Sequence, residues 1–205
     1  MFISVILGLS VVTPYYYNNC IHNMGNIGPM GAVHAALAPA FTKLIDQKAY
    51  NGVNVREEIY NDLNHESILD MCCGTGFSTK PGTVGLDTSK EMIQFAKMYN
   101  PGRKYILANA EDYGEDNSYD VVTCMFAFHE MPNYAHVTIV ENAKRIAREK
   151  VVIVDISTSY KPSPMMLSGE PYILNYLVTI DSILEEFDKK IIVPNHVDMW
   201  ELNLK

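Results

Sequence analysis

The sequence predicts an α/β domain with a seven-stranded, mostly parallel sheet whose last strand is antiparallel. From Ser67 onward, short apolar runs alternate with segments of helical period, which is the pattern of parallel strand–helix–strand units. Polar or glycine-rich turns follow the first four strands, as they do at the ligand-binding edge of such sheets. Two final apolar runs, separated by Pro194-Asn195-His196, predict an antiparallel hairpin that closes the sheet.

The strands are located by short runs of β-branched and apolar residues between turn residues. Runs of this kind are typical of parallel sheets that are buried on both faces. The predicted strands are Ile68 to Met71, Thr83 to Leu86, Lys104 to Ala108, Tyr119 to Met125, Val151 to Ile156, Lys190 to Val193 and Val197 to Leu204.

Three helices are predicted within this domain. Thr88 and Glu91 form a T-x-x-E capping box before an apolar stripe of helical period. Asn133 is the predicted N-cap of a second helix, and the spacing of apolar residues predicts a third over residues 171–187.

The first crossover of the sheet is unusually short. Only seven residues separate Gly76 from Val84, whereas a parallel crossover normally takes a dozen or more and carries a helix. We therefore predict that the first crossover helix is absent or reduced to about one turn. One face of the first two strands would then be open, and we expect the N-terminal segment or a second subunit of a homodimer to cover it.

The N-terminal part of the chain differs from the rest, so we divide the chain into a cap segment, 1–60, and a compact domain, 61–205. The cap is too short for a substantial core of its own, and its aromatic and amide side chains are of the kind that line small-molecule pockets. Its apolar run from Phe2 to Val12 is too short to span a bilayer, which favours a buried element over a membrane anchor.

Composition excludes some partners. The chain has 205 residues and a formal net charge of −8, which works against a duplex nucleic acid or an anionic membrane as partner. Its four cysteines are few for a secreted scaffold, and Cys72 and Cys73 are adjacent, which is poor geometry for a disulfide. We therefore predict a reducing, cytoplasmic location.

The residues that indicate chemistry follow four successive strands. Asp70-Met71-Cys72-Cys73-Gly74-Thr75-Gly76 ends the first strand in a turn where glycines permit close approach to a ligand. Asp87 ends the second strand, where an acid can accept the hydroxyls of a nucleoside ribose. Asn109-Ala110-Glu111 and Cys124-Met125-Phe126 follow the third and fourth strands. All four segments are expected at one edge of the sheet.

These segments resemble the successive motifs of class I S-adenosylmethionine-dependent methyltransferases, which have a Rossmann-like fold. The motif Asp-x-Cys-Cys-Gly-Thr-Gly is similar to that of the ubiquinone and menaquinone C-methyltransferases. The resemblance covers residues 66–156. It implies S-adenosylmethionine as cofactor and methyl transfer to a small-molecule acceptor. By matching position, it implies cofactor contacts from Asp70, Cys72, Gly74, Gly76, Asp87, Thr88, Asn109, Ala110, Glu111, Cys124, Met125 and Phe126. Cys72 stands where the family more often has glycine, which is tolerable if the backbone of Cys72 keeps φ below zero.

Candidates for catalysis and acceptor binding lie outside these motifs. His129, just beyond the fourth strand, is a candidate general base if the acceptor must lose a proton, and Glu130 could orient it. A structural histidine is the alternative. The candidate acceptor pocket consists of Tyr15, Tyr16, Tyr17, Glu170 and Tyr172. No metal-ligand spacing is present.

Two other functions are considered. A nicotinamide-dependent oxidoreductase needs G-x-G-x-x-G, but Thr79 occupies the third glycine position and the crossover is too short for the helix that this motif requires. A non-catalytic subunit that binds S-adenosylmethionine and acts through a partner would keep the same motifs. It would be recognised by cofactor binding without methyl transfer.

Overall fold

A computed structural model describes residues 17–18, 20–63 and 67–204. Thirteen helices and strands are assigned in these ranges, together with 3-10 turns at Ile21–Asn23 and Phe128–Glu130. In chain order they are α1 (Gly28–Ala49), α2 (Val55–Asp62), β1 (Ile68–Met71), β2 (Val84–Asp87), α3 (Lys90–Tyr99), β3 (Lys104–Leu107), β4 (Tyr119–Met125), α4 (Asn133–Ile146), β5 (Ala147–Ile156), α5 (Pro164–Gly169), α6 (Ile173–Ile183), β6 (Asp188–Val193) and β7 (Val197–Asn203).

The seven strands form one sheet in the order β3-β2-β1-β4-β5-β7-β6. The first five are parallel, and β7 runs antiparallel between β5 and β6, so the predicted sheet and its reversed last strand are confirmed. Strand order reverses between β1 and β4. The carboxyl ends of these two strands therefore flank the switch point where open α/β sheets bind ligands.

Each face of the sheet has its own apolar core. Leu69 and Val151 point to the face that α4 and α6 cover. Alternate residues such as Ile68 and Val152 point to the opposite face, where Ile59 of α2 packs against them. The N-terminal segment thus contributes a helix to the core of the domain.

The first crossover contains no helix, as predicted: residues 72–83 run through turns. The buried Asp70 carboxylate organises this segment by accepting hydrogen bonds from Ser78 Oγ at 2.9 Å and Thr79 Oγ1 at 2.6 Å. Thr79 and Tyr105 also pack over Gly85 of β2, leaving no room for a side chain there. The turn and Tyr105 therefore cover Asp70 and Gly85, and α2 of the N-terminal segment packs beside them against Ile68 of β1. A homodimer stays a prediction.

Helix ends differ from the prediction at several points. Ser89, not Thr88, is the N-cap of α3, and its hydroxyl accepts from Met92 N at 3.1 Å. Pro132 rather than Asn133 precedes α4. The helix predicted over residues 171–187 is shorter, and the preceding helix α5 was not predicted.

Helix α1 exposes its large apolar side chains and buries small ones. Its large apolar side chains point outward, with Met30, Leu37 and Leu44 about half exposed, while small residues such as Ala35 are buried. It packs along α3, where Tyr99 donates a hydrogen bond to the carbonyl of Ala36 at 3.0 Å. In the described part of the chain, no helix has the length and apolar character needed to span a membrane.

Candidate active site

A cavity of about 220 Å³ lies over the carboxyl ends of β1, β2, β3 and β4. We call the lining residues from 72–139 the floor and those from 17–42 the roof; Arg56 of α2 closes one side. The floor comprises Cys72, Cys73, Gly74, Thr75, Phe77, Ser78, Leu86, Asp87, Thr88, Met92, Asn109, Ala110, Met125, Phe126, Ala127, Glu130, Met131 and Ile139. The roof comprises Tyr17, Ile21, His22, Asn26, His34, Ala38 and Thr42.

Asp87 links the turn after β1 to the end of β2. Its Oδ2 accepts from the Gly74 backbone N–H at 2.8 Å, and its Oδ1 accepts from that of Ser89 at 2.8 Å. Burial raises the pKa of Asp87 to about 6, although both N–H groups stabilise the charged form. An ionised carboxylate has about four acceptor positions, so about two remain for a ligand.

The turn after β1 brings backbone close to the cavity. Gly74 has φ +52°, and a β-carbon built there would meet no atom within 4 Å, so the space beside it is open. Cys72 has φ +56°, so the condition of a negative φ is not met: this position has the left-handed conformation that favours glycine. Gly76 is needed for a different reason, because a β-carbon there would collide with the Tyr105 hydroxyl.

Most of the predicted cofactor contacts come together on the floor. They are Cys72, Gly74, Asp87, Thr88, Asn109, Ala110, Met125 and Phe126. Asp70, Gly76, Glu111 and Cys124 are absent from the cavity lining. Asp70 holds the short crossover, Cys124 is buried beneath the floor, and one buried carboxylate oxygen of Glu111 has no hydrogen-bond partner among the described residues.

The candidate base His129 does not line the cavity. Its Nδ1 lies 2.6 Å from Oδ1 of the buried Asp155. Burial opposes charge on His129, but Asp155 outweighs it and raises the pKa to about 9. A side chain so placed is charged at neutral pH and has the features of a structural ion pair. Its neighbour Glu130 does line the cavity.

Sequence reasoning missed the polar residues of the roof other than Tyr17. His22 bridges two carboxylates: its Nε2 is 2.8 Å from Glu130 Oε1, and its Nδ1 is 2.8 Å from Glu170 Oε1. Asn26 Nδ2 donates to the other oxygen of Glu130 at 3.2 Å. Burial disfavours the charge, yet the two carboxylates raise the pKa of His22 well above its usual value. The only signal in the sequence was the group of histidine and amide residues in the cap.

Of the residues predicted to bind the acceptor, only some line the cavity among those that the structure describes. Tyr17 lines the cavity, and its hydroxyl accepts from the Asn26 backbone N–H at 2.7 Å. Tyr15 and Tyr16 lie outside the described residues. Glu170 binds His22 from behind the roof, and Tyr172 does not line the cavity.

Arg56 was also missed. Its guanidinium lies 4.1 Å from the centre of the Phe126 ring and, among the described residues, makes no hydrogen bond or ion pair. Burial lowers the pKa of Arg56, while Tyr50, Asp46 and other acidic groups nearby oppose the shift. A cation with open hydrogen-bonding capacity at the end of β4 is suited to an anionic group of a ligand.

Comparison with known families agrees with this geometry. Residues 69–156, which include the floor residues after β1, β2, β3 and β4, match a family model described as a methyltransferase domain. Over residues 69–156 the chain is therefore similar to methyltransferase domains. The matched residues are less than half of the chain, and they include neither the roof residues nor Arg56.

Curated relatives match a part of the chain of similar length. The chain is 33% identical over 109 residues to a demethylmenaquinone methyltransferase from Oceanobacillus iheyensis, covering 46% of this chain and 45% of the relative. It is 36% identical over 85 residues to a ubiquinone biosynthesis O-methyltransferase from Aliivibrio fischeri, covering 36% of each. The chain thus spans less than half the length of these relatives.

Solved structures support the fold of the methyltransferase domain over a longer stretch. A SAM-dependent methyltransferase from Aquifex aeolicus superposes with a TM-score of 0.56 at 18% identity, covering 82% of this chain and 98% of that one. At this identity the likeness concerns the fold alone.

Proposed function

We propose that this protein transfers a methyl group from S-adenosylmethionine to a small-molecule acceptor and releases S-adenosylhomocysteine. The observation that carries the proposal is the position of Asp87, locked by the Gly74 and Ser89 amides beside Asn109 and Ala110 in one cavity. The acceptor positions left on the Asp87 carboxylate suit a pair of ribose hydroxyls.

The rest of the cavity fits the same cofactor. The open space beside Gly74 lets backbone approach a ligand without a side chain between them. Arg56 would meet the carboxylate of the methionine part, and the Phe126 ring below it would keep the guanidinium in place. Asn109 and Ala110 would contact the adenine at the other end of the floor.

When bound, the cofactor supplies a methyl group on a positively charged sulfur. Since its leaving group needs no proton, the protein's main contribution is to align the acceptor with that methyl group. The roof residues Tyr17 and His22 would hold the acceptor above the floor and exclude water. The names of the quinone methyltransferase relatives support a small acceptor.

Three further expectations remain predictions. The net charge of −8 supports the exclusion of nucleic acid as partner. A homodimer is tested by light scattering of the purified chain. The cytoplasmic location awaits fractionation of the source cells.

The proposal is tested by calorimetric titration with S-adenosylmethionine, S-adenosylhomocysteine and NAD. We expect micromolar binding of the first two and none of NAD. Asp87→Ala removes two charge-assisted hydrogen bonds, each of about 1.5 kcal/mol or more, and should weaken binding about 100-fold. Asp112→Ala, at an exposed aspartate outside the cavity, is the control and should bind normally.

Turnover is then followed with radiolabelled S-adenosylmethionine and phenol, quinol, amine and thiol acceptors. Cofactor binding without transfer to any acceptor would favour the non-catalytic alternative. Binding of NAD alone, or of none of the three ligands, would overturn the proposal.

A further inference from the structure

His34 lies on the one face of α1 that borders the cavity. His34, Ala38 and Thr42 follow each other at intervals of four residues, which places them one above the other on the helix, and all three line the cavity. The large apolar residues of α1 are on the outside. The helix therefore turns small and polar side chains inward, an arrangement that packing of an apolar core does not explain.

One hydrogen bond of His34 fixes the tautomer of its neutral ring. Nδ1 lies 3.2 Å from the carbonyl oxygen of Gly25, and a carbonyl can only accept, so in the neutral ring Nδ1 carries the proton. The lone pair is then on Nε2. In the ranges that the structure describes, no group forms a hydrogen bond with Nε2, which leaves this nitrogen available to a ligand in the cavity.

His22 and His34 are in contact, but their surroundings favour different protonation states. The two rings meet edge to face with centroids 4.6 Å apart, and His22 is held between Glu130 and Glu170. Burial lowers the pKa of His34, and the charge on His22 lowers it further, against weaker opposing effects of the Gly25 carbonyl and Glu130. One histidine thus remains cationic beside the carboxylates, while the other remains neutral beside the cavity.

We propose that His34 is the general base of the methyl transfer and that the acceptor carries a phenolic or alcoholic hydroxyl. This inference rests on the function proposed above. The acceptor O–H bond breaks and its proton moves to His34 Nε2. The oxygen forms a bond to the methyl carbon as the carbon–sulfur bond breaks, and that electron pair remains on sulfur. The imidazolium of His34 afterwards returns its proton to water.

The assignment to His34 replaces the candidate role of His129. A base must be within hydrogen-bond reach of the proton that it removes. His129 is outside the cavity and is charged by its pair with Asp155, whereas His34 borders the cavity in its neutral form. Glu130 is engaged by His22 and Asn26, so it is not free to accept a proton.

The test compares an acceptor that needs a base with one that does not. Catechol is the probe hydroxyl acceptor, and an aromatic thiol, which ionises near neutral pH, is the second probe. His34→Gln should lower catechol methylation about 100-fold, the lower end of general-base contributions. It should change thiol methylation and the Kd of S-adenosylhomocysteine by less than threefold. His196→Gln, a histidine outside the cavity, should change nothing.

The pH profile gives a second readout. The profile is measured at saturating S-adenosylmethionine, so that protonation of Asp87, whose pKa is about 6, does not limit cofactor binding. Wild-type kcat/KM for catechol should then lose activity in acid as His34 becomes protonated. In His34→Gln this limb should be absent, and activity should instead rise towards alkaline pH as the catechol ionises by itself. Equal loss with both acceptors, or catechol turnover within threefold of wild type, would overturn the assignment.

A third readout does not depend on turnover. In the complex with S-adenosylhomocysteine, nitrogen chemical shifts should show His34 protonated on Nδ1 at pH 7.5, and added catechol should move the Nε2 resonance. A charged ring, an Nε2–H tautomer or an unmoved Nε2 resonance would contradict the proposal. Failure of the wild type to bind S-adenosylhomocysteine would instead contradict the proposed function itself.

Discussion

The floor and the roof of the cavity are held in place by different kinds of interaction. Floor residues follow directly from strands whose register is fixed by backbone hydrogen bonds, such as the pairing of Met71 with Leu86 and with Cys124. The roof is tied to the floor by polar contacts: His22 and Asn26 bind Glu130, and the Ser89 hydroxyl donates to the carbonyl of Asn26. We infer that the floor forms with the fold, whereas closing of the roof depends on charge.

The largest effect is expected beneath the floor, at the buried pair of His129 and Asp155. His129→Gln leaves a buried carboxylate without its cation, and breaking such a pair costs about 3 kcal/mol or more of unfolding free energy. Below the melting temperature, the Kd of S-adenosylhomocysteine should change less than twofold, because His129 does not line the cavity. Urea denaturation and calorimetry measure the two quantities.

The same variant has a pH dependence of known sign. The folded pKa of His129, about 9, is above its unfolded value, so its stabilisation is full below about pH 6.5 and is lost as the pH rises through 9. The difference in unfolding free energy between wild type and His129→Gln should therefore shrink between pH 6.5 and 9.5. An equal difference at both pH values would contradict the ion pair.

A second prediction separates ligand contact from backbone strain. Gly74 and Gly82 both have positive φ and open space at the β-carbon position, but Gly82 does not line the cavity. Each change to alanine should cost about 1 kcal/mol of stability. Gly74→Ala should also raise the Kd of S-adenosylhomocysteine about 30-fold, or about 2 kcal/mol, by filling space that the ligand needs. Equal affinities in the two variants would place the ligand elsewhere.

The sequence predicted the floor better than the roof for a physical reason. Gly74, Asp87 and Asn109 could be identified because a strand and the turn that follows it are local in sequence. His34 and Arg56 reach the cavity through tertiary packing, which leaves no local pattern. In α1, apolar periodicity even indicates the wrong face, since the apolar side chains point outward.

Smaller errors have equally local causes. Ser89 and Thr88 are both good N-cap residues, so residue type alone could not choose between them. The positive φ of Cys72 is set by the turn, and residue type alone could not show it.

A third prediction concerns the side of the cavity between floor and roof. Arg56→Met removes the cation that we expect to bind the methionine carboxylate, so the Kd of S-adenosylhomocysteine should rise about tenfold, or about 1.4 kcal/mol. Arg56→Lys should recover part of the affinity. The matched ligand is methylthioadenosine, which lacks the amino-acid part and should bind all three proteins equally. Equal weakening of both ligands by Arg56→Met would indicate a general change of the cavity instead.

The smallest effect on ligand affinity is expected at the roof, where His22 contacts the carboxylates of Glu130 and Glu170. The pKa of His22 is raised on folding, so its contribution is full below about pH 6.5 and is lost as the pH rises through the folded value. The pKa of Glu130 is lowered on folding, since His22 outweighs the effect of burial, so its contribution is lost as the pH falls through the folded value. The roof should therefore be closed most tightly between these two limits.

His22→Gln should weaken S-adenosylhomocysteine binding only about threefold at pH 7, because the pair is partly exposed to solvent and its charges are screened. Amide hydrogen exchange should quicken in residues 20–49 and stay unchanged in β1 and β4. The wild type should show the same faster exchange once the pH exceeds the folded pKa of His22, and the variant should not respond to pH there. Faster exchange in floor and roof together would mean that the two regions open as one unit, and the distinction between them would fail.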